Sequence, residues 1–186
     1  MSIRSGMANL IARLRRMIDD STAAVWTDDE LQEMLDAHME EVFGSHLASV
    51  SKYVNGTIMY KTFLCAYGEL EEWFSGEDYW RIYDSAGSTV GTSTYSVNYI
   101  TGRVTFTSNQ EGSARYLDAR HYDLNGAAGQ AWRERMGMQS SKYSFGADGA
   151  SYSRSDWFDH CERMAAKYEQ KSWAQIVNWE RNDGNV

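Results

Sequence analysis

Residues 47–65 read LASVSKYVNGTIMYKTFLC, two β-prone runs joined by Asn55-Gly56. Both turn residues tolerate positive φ, which makes the pair the strongest short-range hairpin signal, and strands are expected near 47–54 and 57–65. On either side the signals are helical, in blocks of about 1–43 and 118–172. The chain is therefore read as α+β: a small bundle of about four helices interrupted by an inserted antiparallel β sub-domain. Residues 1–46 and 118–172 form the helical frame, 47–117 the insertion, and 173–186 an extended C-terminal arm.

The insertion carries further β signals. A strand is expected near 79–83 (YWRIY), followed by a turn around Asp84–Gly87. Tyr95, Val97 and Tyr99 then alternate up to Thr101-Gly102, and Val104 and Phe106 alternate down from it, which predicts a second hairpin. Ala114–Leu117 adds a last strand leading into the helices.

In the frame, Leu10, Ile11, Leu14, Met17 and Ile18 share one helical face, with the arginines of that segment on the other side. Thr27 and Glu30 make a capping box, and Trp26 and Leu31 sit where a hydrophobic staple closes. The helix that starts there is expected to run to about Phe43, with Leu31, Met34, Leu35 and Val42 as its apolar stripe and His38 on the same face. Residues 120–138 predict a third helix. Interior glycines cost about 1 kcal/mol each relative to alanine, so Gly126, Ala127, Gly129 and Ala131 mark close approach of another element, either of this chain or of a neighbouring copy packed against it. After a Gly-rich connection at 144–149, Trp157, Cys161, Met164, Ala165 and Tyr168 define a fourth helix.

The length, 186 residues with 42% hydrophobic and 13% aromatic content, fits one domain with an insertion, and the aromatic excess points to contact surfaces. There is no proline, so Gly, Asn, Asp and Ser must make the turns. Two distant cysteines, Cys65 and Cys161, make no disulfide framework and fit a reducing compartment. The N-terminus lacks an apolar run of signal length and no segment has the composition of a membrane span, so the protein is expected to be made and kept in the cytoplasm with no membrane partner.

The net charge is −8. Arg4, Arg13, Arg15 and Arg16 head the chain without an acid among them, whereas 17–51 holds Asp19, Asp20, Asp28, Asp29, Glu30, Glu33, Asp36, Glu40 and Glu41 with no Lys or Arg. That balance disfavours a grip on nucleic-acid phosphates.

Motifs for chemistry are few. His38, His46, His121 and His160 with Cys65 and Cys161 show no metal-ligand spacing, and neither a metal nor a cofactor is expected. No nucleophile elbow, zincin, P-loop or dinucleotide fingerprint occurs, so no catalytic residue is assigned and the chain is not read as an enzyme. Glu69, Glu71 and Glu72 near Trp73 and Trp80 would make a glycosidase pair only if two acids faced one another across a cleft.

Taken in order, Leu10–Asp20, VWTDDEL (25–31), YSVNYITGRVTF (95–106), YDLNGAA (122–128) and FGADGASYSRS (145–155) make the chain resemble the head–tail connector, or adaptor, proteins of tailed bacteriophages and prophages. The resemblance implies a structural virion protein at the head–tail junction. It implies a ring, usually twelve-fold, on the portal protein, prolonging the DNA channel and docking the next neck or tail component, a stopper or tail terminator. Genomic DNA would pass without sequence-specific binding. Under that reading Asp28, Asp29, Glu33, Asp36 and Glu40 are candidates to line the channel and repel phosphates. Trp173, Ile176, Val177 and Trp179, apolar residues in a terminal segment, are candidates to bind the portal. The alternative is an aromatic-rich β binding module of a neck or tail, in which Trp73, Tyr79, Trp80, Tyr83, Tyr95 and Tyr99 contact a glycan or a partner protein.

Overall fold

The computed structural model describes residues 3–74, 79–138, 145–147, 150–152 and 154–172. Among them are four α-helices, α1 (Ala8–Met17), α2 (Asp28–Asp36), α3 (Leu124–Met138) and α4 (Arg154–Glu169). Between α2 and α3 run β1 (Met39–Val54), β2 (Thr57–Leu64), β3 (Arg81–Asp84), β4 (Tyr95–Asn98), β5 (Arg103–Phe106) and β6 (Arg115–Tyr122). They form one antiparallel sheet in the order β3-β6-β1-β2-β5-β4. The Gly-rich connection carries a small ribbon of its own, β7 (Phe145–Ala147) paired with β8 (Ala150–Tyr152).

The capping box is present: Thr27 Oγ1 accepts from the Glu30 N–H, and the Glu30 carboxylate accepts from the Thr27 N–H at 2.7 Å. Trp26 and Leu31 are both buried in the helical core. Thr27→Ala should lower the unfolding free energy by about 1 kcal/mol. The check is the urea midpoint at constant slope; an unmoved midpoint would show that the cap is idle.

The helix stops earlier than its apolar stripe predicts. It ends at Asp36, and Met39–Val54 is a strand, with Val42 buried in the sheet. Two causes are visible. Continuing the helix would set Glu40 and Glu41 at the negative end of its dipole, whereas as strand residues they pair across to His121 and Arg120 of β6. The β segment correspondingly covers Met39–Tyr122, and residues 120–122, expected to open the third helix, finish β6.

β1 belongs to two ladders. Met39–Leu47 pairs with β6 and Ala48–Val54 with β2. The sheet curls, so that Ile82, Leu117 and Leu47 from one half meet Phe63, Val104 and Phe106 from the other in a single cluster. Phe63 and Phe106 pack edge to face at 5.2 Å. The helices enclose a second cluster, built from both ends of the chain: Met7, Leu10, Ile11, Leu14 and Leu35 with Tyr122, Ala127, Ala131, Trp132, Cys161 and Ala165.

A break in the β1–β6 register between Val42 and Ser45 is held by a buried carboxylate. Gly44 takes φ +64°, and its N–H donates to Asp118 Oδ1 at 2.9 Å. Arg81 and the Tyr83 hydroxyl donate to the same carboxylate. Burial pushes the Asp118 pKa up, but these donors outweigh it and hold the group below its ordinary value. A carboxylate depressed in the fold stabilises above its unfolded pKa of about 4, and that contribution is lost as pH falls through the folded value. Asp118→Asn should therefore cost stability at neutral pH and flatten the acid limb of a stability–pH curve. An acid limb as steep as wild type would show that another group sets it.

Candidate functional site

Arg15 does not lie on the solvent side of α1. It is buried, and its guanidinium donates to Asp20, to Asp28 and to the Trp26 carbonyl. The reason is the 18–27 loop, which folds over it as Asp20 accepts the N–H groups of Ala24, Val25 and Trp26. The acidic run is in large part a set of counter-ions for this chain's own cations. Arg4 pairs with Asp36, Arg120 with Glu41, and Glu40 lies 3.2 Å from His121 Nε2. Of the five acids expected to line a channel, Asp28, Asp36 and Glu40 thus have partners inside the chain. Asp29 is half-buried, and Glu33 stands exposed on the outer face of α2 beside Glu30.

The small residues of α3 serve the chain's own core. Ala127 and Ala131 are fully buried there. A Cβ on Gly126 would stand 2.6 Å from His38 Nδ1, and one on Gly129 would stand 2.9 Å from Glu169 Cγ and 3.6 Å from the Ala165 carbonyl on α4. The element that Gly126, Ala127, Gly129 and Ala131 let approach is intramolecular: the packing lies within the chain, not between copies of a ring. Trp173, Ile176, Val177 and Trp179 lie outside the described residues.

Glu69, Glu71 and Glu72 are each engaged. Arg13 pairs with Glu69, and the Asn9 amide donates to Glu72. Glu71 is fully buried, where it accepts from Arg4 Nε at 2.9 Å and from the Tyr122 hydroxyl at 2.6 Å. Burial first, then the Glu71 carboxylate, push the Tyr122 phenol far above its ordinary range, so it stays a donor. The Arg13–Glu69 and Asn9–Glu72 contacts border a cleft of about 300 Å³ between α1 and the β4–β5 turn. Its two carboxylates, Glu69 and Glu72, thus each have a donor within the chain.

Four of the six aromatic residues singled out from the sequence come together. Trp73, Trp80, Tyr95 and Tyr99 line a cleft of about 340 Å³ with Thr92, Ser93, Ser96 and Val97. Trp80 Nε1 donates to the Tyr95 hydroxyl at 3.2 Å, and its ring packs against Tyr99 at 5.0 Å. The other two turn away. The Tyr79 hydroxyl donates to the Glu72 carbonyl, and Tyr83 stacks on Tyr116. Among the described residues no three of His, Cys, Asp or Glu converge as a metal would require. His38 meets Gln130 at 3.1 Å, His46 packs on Tyr116, and His160 lies against Trp132. No helix among them is long and apolar enough to cross a membrane.

One surface was legible in the sequence as a hairpin but not as a projection. Beyond Leu47, β1 loses β6, and beyond Thr62 towards the tip, β2 loses β5. The 107–112 segment still borders β2 as far as Tyr60, whose N–H donates to Asn109 Oδ1 and whose carbonyl accepts the Gln110 N–H, and what remains beyond is a two-stranded ribbon closed by Asn55-Gly56. The register shift between Val50 and Ser51 leaves Lys61 out of the ladder, a bulge that adds local twist. Tyr53 is 72% exposed and Ile58, its cross-strand partner, 52%. Val50 and Val54 on the opposite face are also exposed. Strands that serve one core bury one face and wet the other; this ribbon offers apolar side chains on both.

The architecture defines the chain as α+β, with four α-helices and a curled six-stranded antiparallel sheet among the described residues. No family model matches it. No curated protein matches it in sequence.

Proposed function

We propose that the chain is a head–tail adaptor, a structural virion protein that forms a ring on the portal, prolongs the DNA channel and docks the next neck or tail component. The observation that carries this reading is the way the two ends of the chain share one helical core while the sheet is spun out between them. We read this sharing as a bundle with an inserted β sub-domain, the frame that the resemblance calls for. Its net charge of −8 suits a wall past which DNA slides without being held. The segment after Lys171 is the portal-binding arm of this reading.

Electron microscopy of the protein mixed with the portal of its own phage tests it. The expected result is a closed ring of adaptor coaxial with the portal, lost when the chain is truncated after Lys171, while the truncated protein keeps the thermal midpoint of the full chain. Absence of any ring would overturn the reading; a ring that survives truncation would move the contact away from the arm. A second reading is favoured by the aromatic cleft, whose converging rings, Trp80 edge-on to Tyr99, and hydroxyl rim suit a sugar or a partner's side chain. Glycan-array binding by the full chain, lost on Trp73→Ala, would favour that reading instead.

A further inference from the structure

We propose that His121 is an acid-sensitive latch on the seam that closes the sheet: it holds segment 69–71 against β6 while its ring is neutral and releases it when the ring takes a proton. The latch stands apart from the ring reading, and either can fail without the other. The seam is built from main-chain bonds. On one side the Tyr122 N–H donates to the Glu69 carbonyl and the Glu71 N–H to the Arg120 carbonyl, both at 3.0 Å. On the other the Glu69 and Leu70 N–H groups donate to the carbonyls of Ile100 and Tyr99, just past β4. The segment thus spans from β6 to the end of the edge strand β4, and its Leu70 is buried in the sheet core. Opening it would part β4 from β6 and bring Leu70 out.

His121 stands opposite Leu70 in this seam. Of the four histidines it alone is fully buried; His38 is half-buried, and His46 and His160 are exposed. Among the described residues, Tyr67 from the segment before Leu70, Glu40 from β1 and Asp123 from the start of α3 are the titratable groups that face it. The Tyr67 ring packs on the imidazole with centroids 4.4 Å apart, and Glu40 Oε2 lies 3.2 Å from Nε2. Arg120 and Tyr122 lie on the opposite face of β6, where both approach Glu71. A charged imidazole buried this far loses most of its hydration. Glu40 offsets little of that loss, because its side chain is 65% exposed and solvent screens the pair. Asp123 offsets little too, because its carboxylate already accepts the Asn125 and Gly126 N–H groups. Burial therefore pushes the His121 pKa down, against the pull of both carboxylates. A histidine depressed in the fold takes its proton more readily once released. The stability it lends is whole above its unfolded pKa of about 6.5 and is lost as pH falls from there towards the folded value.

Hydrogen exchange of the full chain, read amide by amide by NMR and divided by the intrinsic rate at each pH, tests the latch. The Glu69, Leu70, Glu71 and Tyr122 amides should open more often than those of α1, because the release is local. Between about pH 7.5 and about pH 5.5 their opening constant is expected to rise severalfold, with about tenfold as the ceiling that one linked proton sets over this range. In His121→Gln that rise should vanish. In Glu40→Gln, which takes away the counter-charge, it should grow. The Cε1–H of His121, followed through the same range in the unsubstituted chain, should titrate below those of His46 and His160, a measurement that needs no variant to fold. Seam amides whose opening ignores pH, an equal rise in His121→Gln, seam and α1 amides opening together at one constant, or a His121 midpoint at or above those of the exposed histidines would each overturn the proposal.

Discussion

Replacing Arg4 by alanine is expected to cost about 3 kcal/mol of stability, because it strips a fully buried carboxylate of its charge partner. Arg4 reaches three elements at once. It donates to Glu71 in the segment after β2, to both oxygens of Asp36 at the end of α2, and to the Tyr122 hydroxyl at the end of β6. Its backbone N–H adds a 2.7 Å bond to Gln32 Oε1. Hydrogen bonds to Asp36 chiefly, against the opposing pull of burial, raise its pKa well above the ordinary value, so the guanidinium is charged at any pH at which the fold exists. Without it Glu71 keeps the Tyr122 hydroxyl and Arg120 Nη1 at 4.0 Å, too distant to replace a direct bond. The double variant Arg4→Met with Glu71→Leu, which removes both charges together, should recover much of the loss. Urea unfolding of the two variants decides the matter. A loss below about 1 kcal/mol for the single variant would place this pair among ordinary surface pairs.

Gly102→Ala is expected to be comparably severe, at about 3 kcal/mol, from backbone strain and overpacking together. Gly102 closes the β4–β5 turn at φ +63°, where an L side chain is strained. Its Cβ would also stand 2.1 Å from the Tyr67 carbonyl oxygen and 3.0 Å from Cys65 Cβ. A backbone oxygen cannot swing aside as a side chain does. The Gly102 carbonyl meanwhile accepts the Cys65 N–H at 2.8 Å, so displacing the turn also unpicks the end of β2. Thermal unfolding with a midpoint within a degree or two of wild type would show that the 65–67 segment yields.

What the residues disclosed in advance was local. Asn55-Gly56, Thr101-Gly102 and the Thr27–Glu30 box each bind their own neighbours within four residues, and each stands where the sequence put it. The stripe of Leu10, Ile11 and Leu14 likewise found the core. What misled was a pattern with two solutions: Val42 continues a helical stripe from Leu35, yet it serves equally as an inward residue of β1. The strand won because β6 lies alongside, and β6 itself was hard to read. Its RYLDARHY is buried on both faces, with Asp118 and His121 inside, so it lacks the period-two alternation that marks a strand. The candidate surfaces were legible in composition but not in grouping. Trp73, Trp80, Tyr95 and Tyr99 could be singled out as aromatic, whereas their convergence depends on how far the sheet curls. Counter-ions as far apart as Arg4 and Glu71 leave no mark on spacing.

The helical core also fixes an order of events during synthesis. Its walls come from Met7–Leu35 and from Tyr122–Ala165, so α1 has only the 25–35 segment to settle on until residues 122–165 have been added. The hairpins between them close with partners only a few residues away, and closing a short loop is fast compared with the addition of residues at 5–20 per second. The hairpins can therefore close while the amphipathic face of α1 is covered only in part, and that face is the part of the helical core that a chaperone would shield during translation.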